Sequence, residues 1–201
     1  MVNNRDKKSE KIAKEFNQKI LILSGCLLTF WILEISDQFV FQNLWRGGLD
    51  IFGIIPREPI GLRGVVLAPF LHGDFQHLIA NSFPFTILGF LVMFNKTKDF
   101  FSVTFITSLV GGLGVWLFAA PNSVHIGASI LIFGYLGFLL FRGYFQRDIP
   151  SIALSLIVFF FYGGVLWGVL PTTPGVSWEG HLFGLLGGIV AARMLSIPRS
   201  N

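Results

Sequence analysis

Three long stretches of this chain carry no charged side chain: residues 75–95, 100–141 and 149–178 contain no Asp, Glu, Lys or Arg. A membrane span needs roughly 20 predominantly apolar residues. The first and third stretches each suit one span plus flanking chain. The 42 residues of the second suit two, reversing at Pro121-Asn122-Ser123. Of the 201 residues, 53% are hydrophobic and 13% charged, against ~45–50% and ~25% in soluble domains. One core of this size cannot hide so much apolar surface from water. That excludes an ordinary soluble enzyme, a disordered chain and a collagen-like chain, and makes a lipid bilayer the solvent.

Six spans are predicted, at about 19–38, 74–95, 99–119, 127–144, 149–170 and 178–197. The fold expected is an all-α membrane protein, a six-transmembrane-helix bundle over residues 19–201. Residues 1–18 form a polar cytoplasmic N-terminal segment, and residues 39–73 a long first outer loop. That loop contains Gly and Pro but is partly apolar, so it is expected to pack on the bilayer surface or dip into it. No small-residue cleavage site follows the first apolar run, so that run reads as a retained helix. The only cysteine, Cys26, lies within it and offers neither a disulfide nor a metal site.

Orientation follows from Lys and Arg. With the N-terminus inside, twelve lie on the inner side: six in residues 1–19, then Lys96, Lys98, Arg142, Arg147, Arg193 and Arg199. Only Arg46, Arg57 and Arg63 lie outside. Both termini are therefore expected in the cytoplasm, with the protein in the cell (inner) membrane. The net charge of +4 reflects these flanks, and no nucleic-acid partner is expected.

Spans two, four and six then all begin on the outer side. Near their beginnings lie His72, His77 and Asn81; His125 and Ser129; and His181. Polar residues in spans are costly and are functional candidates, and these share one depth in the outer half of the membrane. A transition metal is disfavoured: His72 and His77 are about 140° apart on a helix, and no His-Glu-x-x-His pattern occurs. No metal and no cofactor are expected. Ser with His is the better combination, because imidazole can take the proton that makes a hydroxyl nucleophilic. Gly180, Gly184 and Gly188 recur every four residues on span six, and Gly127, Gly134 and Gly137 thin span four. Small-residue stripes permit close helix approach in lipid, which would bring Ser129 to His181. His77 and Asn81, four apart, could present donors to one oxyanion, with the Ser129 backbone N–H as a third.

At these residues the chain resembles the rhomboid family of intramembrane serine proteases. The matches are His72-x4-His77-x3-Asn81, Gly127-x-Ser129 and His181-x2-Gly184-x3-Gly188, in the family's order, with Trp45-Arg46 in the first outer loop. The resemblance extends over roughly residues 40–195. It implies a six-helix rhomboid-like core and a Ser129–His181 catalytic dyad. It further implies an oxyanion pocket from His77, Asn81 and the Ser129 amide, with Phe133 stacked on His181. Gly127, Gly184 and His72 are supporting residues. The resemblance also implies a mobile span five and single-span transmembrane substrates cut near the outer face. The oligomeric state is left open.

The family pattern is Gly-x-Ser-Gly, and here Ile130 stands in the fourth position. A branched side chain pointing toward span two or six would widen the helix seam and slow catalysis, so a working but slow enzyme is expected. A catalytically inactive rhomboid-like substrate-binding protein is the alternative. A small transporter is a further one, against which stand the missing inverted halves and intramembrane carboxylates.

Overall fold

The computed structural model describes residues 4–196, so Arg199, counted above among the inner charges, lies outside the described residues. Among the described residues, six long helices follow one another: α1 (Asn4–Ser36), α2 (Phe75–Val92), α3 (Thr97–Phe118), α4 (Ser129–Gln146), α5 (Ile149–Tyr162) and α6 (Trp178–Leu195). Side chains cap three of them, as backbone N–H groups of a first turn require. Asp74 accepts from the His77 N–H on α2, Asp148 from Ser151 on α5, and Ser177 from Gly180 on α6.

Three boundaries differ from the sequence reading. The polar N-terminal segment is no separate unit but the opening of α1. Its Lys, Glu and Ala are good helix formers, and Glu10–Lys14 and Glu15–Lys19 have the acid-before-base spacing that supports a helix. At its other end α1 runs on through a π-helical turn, Asp37–Phe41, to Leu44, which shortens the outer loop. The fifth expected span is α-helical only to Tyr162 and then tightens into a 3-10 segment, Gly163–Val169, at a Gly-Gly pair.

Among the described residues, five helical segments are long and apolar enough to cross a membrane: 7–44, 75–92, 97–118, 129–146 and 149–169. The sixth expected span, α6, is not among them. It carries Glu179, His181, Arg193 and four glycines within 18 residues, which dilute its apolar character.

The core lies around α4, which packs against α2, α3, α5 and α6. Tyr135, Leu136, Phe138 and Leu139 are fully enclosed. The glycines explain how α6 comes so near: a methyl group on Gly188 would strike the backbone of Gly134, and one on Gly184 the carbonyl of Ile130. Gly137 likewise lies on the Leu185 carbonyl. Gly180 and Gly127 do not join this seam; Gly180 faces Ser177 and Val115, and Gly127 faces His77. Toward the other end, Arg142 and Asp99 form an ion pair at 2.9 Å with both side chains buried. By contrast α5 buries only Ser151 and Val158 and exposes Phe159, Phe160, Phe161 and, beyond it, Trp167. Apolar surface of this kind is at home in lipid.

The outer loop packs on the bundle. Ile54 pairs with His125 as an isolated antiparallel bridge, and the Arg57 N–H and guanidinium donate to the carbonyls of Trp116 and Leu117. Arg63 donates to Ile51 O at 2.7 Å and lies over the Phe52 ring.

Candidate active site

An open cavity of about 850 Å³ lies at the starts of α2, α4 and α6, and Ser129, His181, His77 and Asn81 all line it. Each reaches it for a local reason. Gly127 takes φ +114°, a conformation that L side chains rarely adopt, and turns the chain into α4 so that Ser129 is its first residue. There the Ser129 N–H has no carbonyl one turn back to accept it. His181 lies in the first turn of α6, with its N–H on the Ser177 carbonyl at 3.1 Å.

The His181 ring is fixed on two sides. It stacks on Phe133 with ring centres 4.1 Å apart and planes 9° from parallel. Its Nδ1 lies 2.8 Å from the Gly168 carbonyl oxygen. A carbonyl only accepts, so in the neutral ring Nδ1 carries the proton and Nε2 keeps the lone pair. A Cβ at Gly168 would lie 2.8 Å from Phe133 Cζ and 3.3 Å from His181 Nδ1, so a side chain there would press on the stacked rings. No hydrogen bond joins Ser129 to His181 in the structure.

His77 and Asn81 lie together on the cavity's other wall. A methyl group on Gly127 would lie 2.7 Å from His77 Nε2 and 3.6 Å from Asn81 Nδ2, so both side chains converge just before Ser129. The Asn81 Nδ2 group is buried without a hydrogen-bond partner. Buried donors normally have one, which leaves this amide ready for a ligand oxygen.

His72 stands behind this wall rather than in it. It is 1% exposed, with its ring 5.1 Å from that of His77. Burial and the neighbouring His77 push its pKa down to about 3, so it is neutral. Its Nε2 can therefore accept the Ala128 N–H, at 3.4 Å. Among the described residues, no group of three His, Cys, Asp or Glu is placed to hold a metal ion.

The side chain of Ile130 is turned away from this cavity. Its side chain lies on α3, where Gly111 has no Cβ to oppose it. The side chain therefore takes neither of the crowding directions, toward span two or toward span six. The seam with Gly184 stays closed because only the Ile130 backbone faces it.

A profile of the Rhomboid domain matches residues 61–198. The chain belongs to the rhomboid family. A Mycobacterium tuberculosis protein without a functional name is 44% identical over 184 residues, 86% of this chain and 75% of its own. An Acanthamoeba polyphaga mimivirus protein, provisionally named a rhomboid protein, is 30% identical over 142 residues, 68% and 77% of the two chains. A Bacillus subtilis protein, provisionally named a rhomboid protease, is 29% identical over 127 residues, 60% of each. With its apolar helices, this rhomboid is a multi-pass integral membrane protein. The rhomboid match begins at residue 61, beyond Trp45-Arg46. In the structure Trp45 stacks on Phe41 and Arg46 is exposed, whereas Arg63 braces the loop.

Sequence reasoning missed two residues in contact with the site's histidines, Gly168 beside His181 and Ser177 beside His125, and placed His125 in the polar layer without a partner. Ser177, three residues before Gly180 at the start of an apolar run, had a helix-cap signature. Nothing in a single sequence links residue 125 to residue 177.

Proposed function

We propose that this rhomboid is an intramembrane serine endopeptidase with a Ser129–His181 dyad. The observation that carries this reading is the shared cavity: nucleophile, base and two donors line it together, with His181 held in the tautomer that leaves Nε2 basic. Ser129 Oγ attacks the scissile carbonyl carbon while His181 Nε2 takes the hydroxyl proton. The negative oxygen that forms accepts from the Ser129 N–H, Asn81 Nδ2 and His77 Nε2. Collapse breaks the C–N bond, and His181 returns its proton to the leaving amine. Water, deprotonated by the same imidazole, then hydrolyses the acyl-enzyme. The missing Ser129–His181 hydrogen bond is compatible with this role, since such contacts often tighten only with substrate bound.

In this reading α6 is a sixth span, shielded by α3 and α4 despite its polar residues. The termini are cytoplasmic, the membrane is the cell (inner) membrane, and the cavity opens to its outer half. Substrates are single-span proteins whose helices enter from lipid. The placement of Ile130 on Gly111 favours an active enzyme over a substrate-binding relative.

The test is cleavage of a single-span substrate by purified protein. Wild type should cut it, and Ser129→Ala and His181→Ala should not. Asn81→Ala should lower the rate by ~10²–10³, the effect of losing one oxyanion donor. Full activity in Ser129→Ala would end the reading.

A further inference from the structure

His125 has no part in the chemistry above, yet it is 9% exposed and lines the same cavity. Its backbone exchanges two hydrogen bonds with Ile54, at 2.9 and 3.0 Å. Its ring is engaged at both nitrogens: Nδ1 is 2.6 Å from Ser177 Oγ, and Nε2 is 2.8 Å from Ser123 Oγ.

The donors can be assigned. Ser123 Oγ donates to the Ala120 carbonyl at 2.6 Å, so toward His125 it accepts, and Nε2 carries the proton. Nδ1 of the neutral ring then has a lone pair, which takes the Ser177 hydroxyl proton. Ser177 Oγ in turn accepts the Gly180 N–H at 3.2 Å, the cap of α6. The hydrogens thus point one way at every link, from Gly180 through Ser177 and His125 to Ser123 and Ala120. Burial lowers the His125 pKa, with the Glu179 charge opposing in part, which agrees with a neutral ring.

We propose that His125 is a positioning residue that, through Ser177, sets where the first turn of α6 holds His181 relative to Ser129. The proposal rests on the protease reading above. His125 lies four residues before Ser129, and Ser177 four before His181, so this contact ties the two chains that carry the dyad at their outer ends. Deeper in, the Gly184–Ile130 contact ties the same two helices. Displacements of about 1 Å at a reacting group can change a rate by ~10²-fold.

The two ring nitrogens can be separated by substitution. The amide of Asn reaches the position of Nδ1, and that of Gln reaches Nε2. His125→Asn should therefore keep the link to Ser177 and stay within about twofold of wild type. His125→Gln and Ser177→Ala should lower kcat by up to ~10²-fold, with KM unchanged, and slow phosphonate labelling of Ser129 in parallel. Combined, these two changes should be no worse than either alone, because both cut one link. Hydrogen exchange over residues 177–184 should quicken in His125→Gln and Ser177→Ala but not in His125→Asn. Wild-type kcat in His125→Gln would overturn the proposal. So would equal loss in Asn and Gln, which would assign the ring to packing, or a rise in KM alone, which would make it a substrate contact. Unchanged exchange in every variant would overturn it independently of activity. A wild-type protein that neither cleaves nor labels would instead end the protease reading, and is told apart because the parent itself is silent.

Discussion

Ile130 shows how one side chain's direction decides the meaning of a motif. Beside Gly111 it fills space in the α3–α4 contact, so glycine in its place would remove packing rather than relieve crowding. Large-to-small changes at buried Ile cost ~2–5 kcal/mol, and glycine in a helix about 1 kcal/mol more. Ile130→Gly should lower the Tm in detergent while leaving the labelling rate of Ser129 unchanged; a clear rise in that rate would mean that Ile130 obstructs the dyad after all. The sequence showed the substitution but not the rotamer, because nothing local chooses between α2, α3 and α6 as the neighbour. Asp50 in the outer loop makes a second case. Burial, with the charges of Asp37, Glu34 and Asp74, pushes its carboxyl up to about 7, and its Oδ1 is buried without a partner. Unfolded Asp titrates near ~3.9, so the folded chain holds the extra proton between these values. Its contribution is fully present below about pH 4 and is lost progressively as pH rises through about 7. Asp50→Asn should accordingly raise the Tm more at pH 8 than at pH 5, as thermal scans at the two pH values would show.

At the scale of the helices, two devices hold α3, α4 and α6 together without a hydrophobic drive between them. One is the glycine seam, whose four-residue period on α6 was legible because the period alone puts glycines on one face. Which partners they meet was only partly legible: Gly184 and Gly188 reach α4, whereas Gly180 lies on Ser177 and Val115. The other is the Asp99–Arg142 pair. In the sequence Arg142 is one more inner charge; in the fold it is buried against Asp99 at 2.9 Å, 43 residues away. Removing one member of a buried pair costs ~3–5 kcal/mol, and replacing both by apolar groups costs far less. Asp99→Ala should therefore lower the Tm more than Asp99→Leu combined with Arg142→Leu. A double variant that melts below the single one would show that the pair itself contributes the stability. The extent of α1 was misjudged for a simple reason: a polar run read as a tail also has the pairing and propensity of a helix.

Across the whole molecule, the residues of the candidate site were the most legible part. In an apolar chain, histidine, asparagine and serine at one depth stand out against everything around them. The supports of that site, His125 on Ser177 and Gly168 under His181, join segments far apart in sequence and appear only once the chain is folded. The charge bias adds a prediction at this scale: reporters fused after Asn95 and Arg147 should read cytoplasmic and one after Pro121 external. A cytoplasmic reading at Pro121 would invert the arrangement and place the cavity on the wrong side of the membrane. The central claim, that this rhomboid uses Ser129 as a nucleophile activated by His181, has a direct measurement. Purified protein treated with a serine-directed phosphonate and mapped by mass spectrometry should carry a single adduct on Ser129, lost in Ser129→Ala and in His181→Ala. An unmodified Ser129, or labelling that persists without His181, would contradict it.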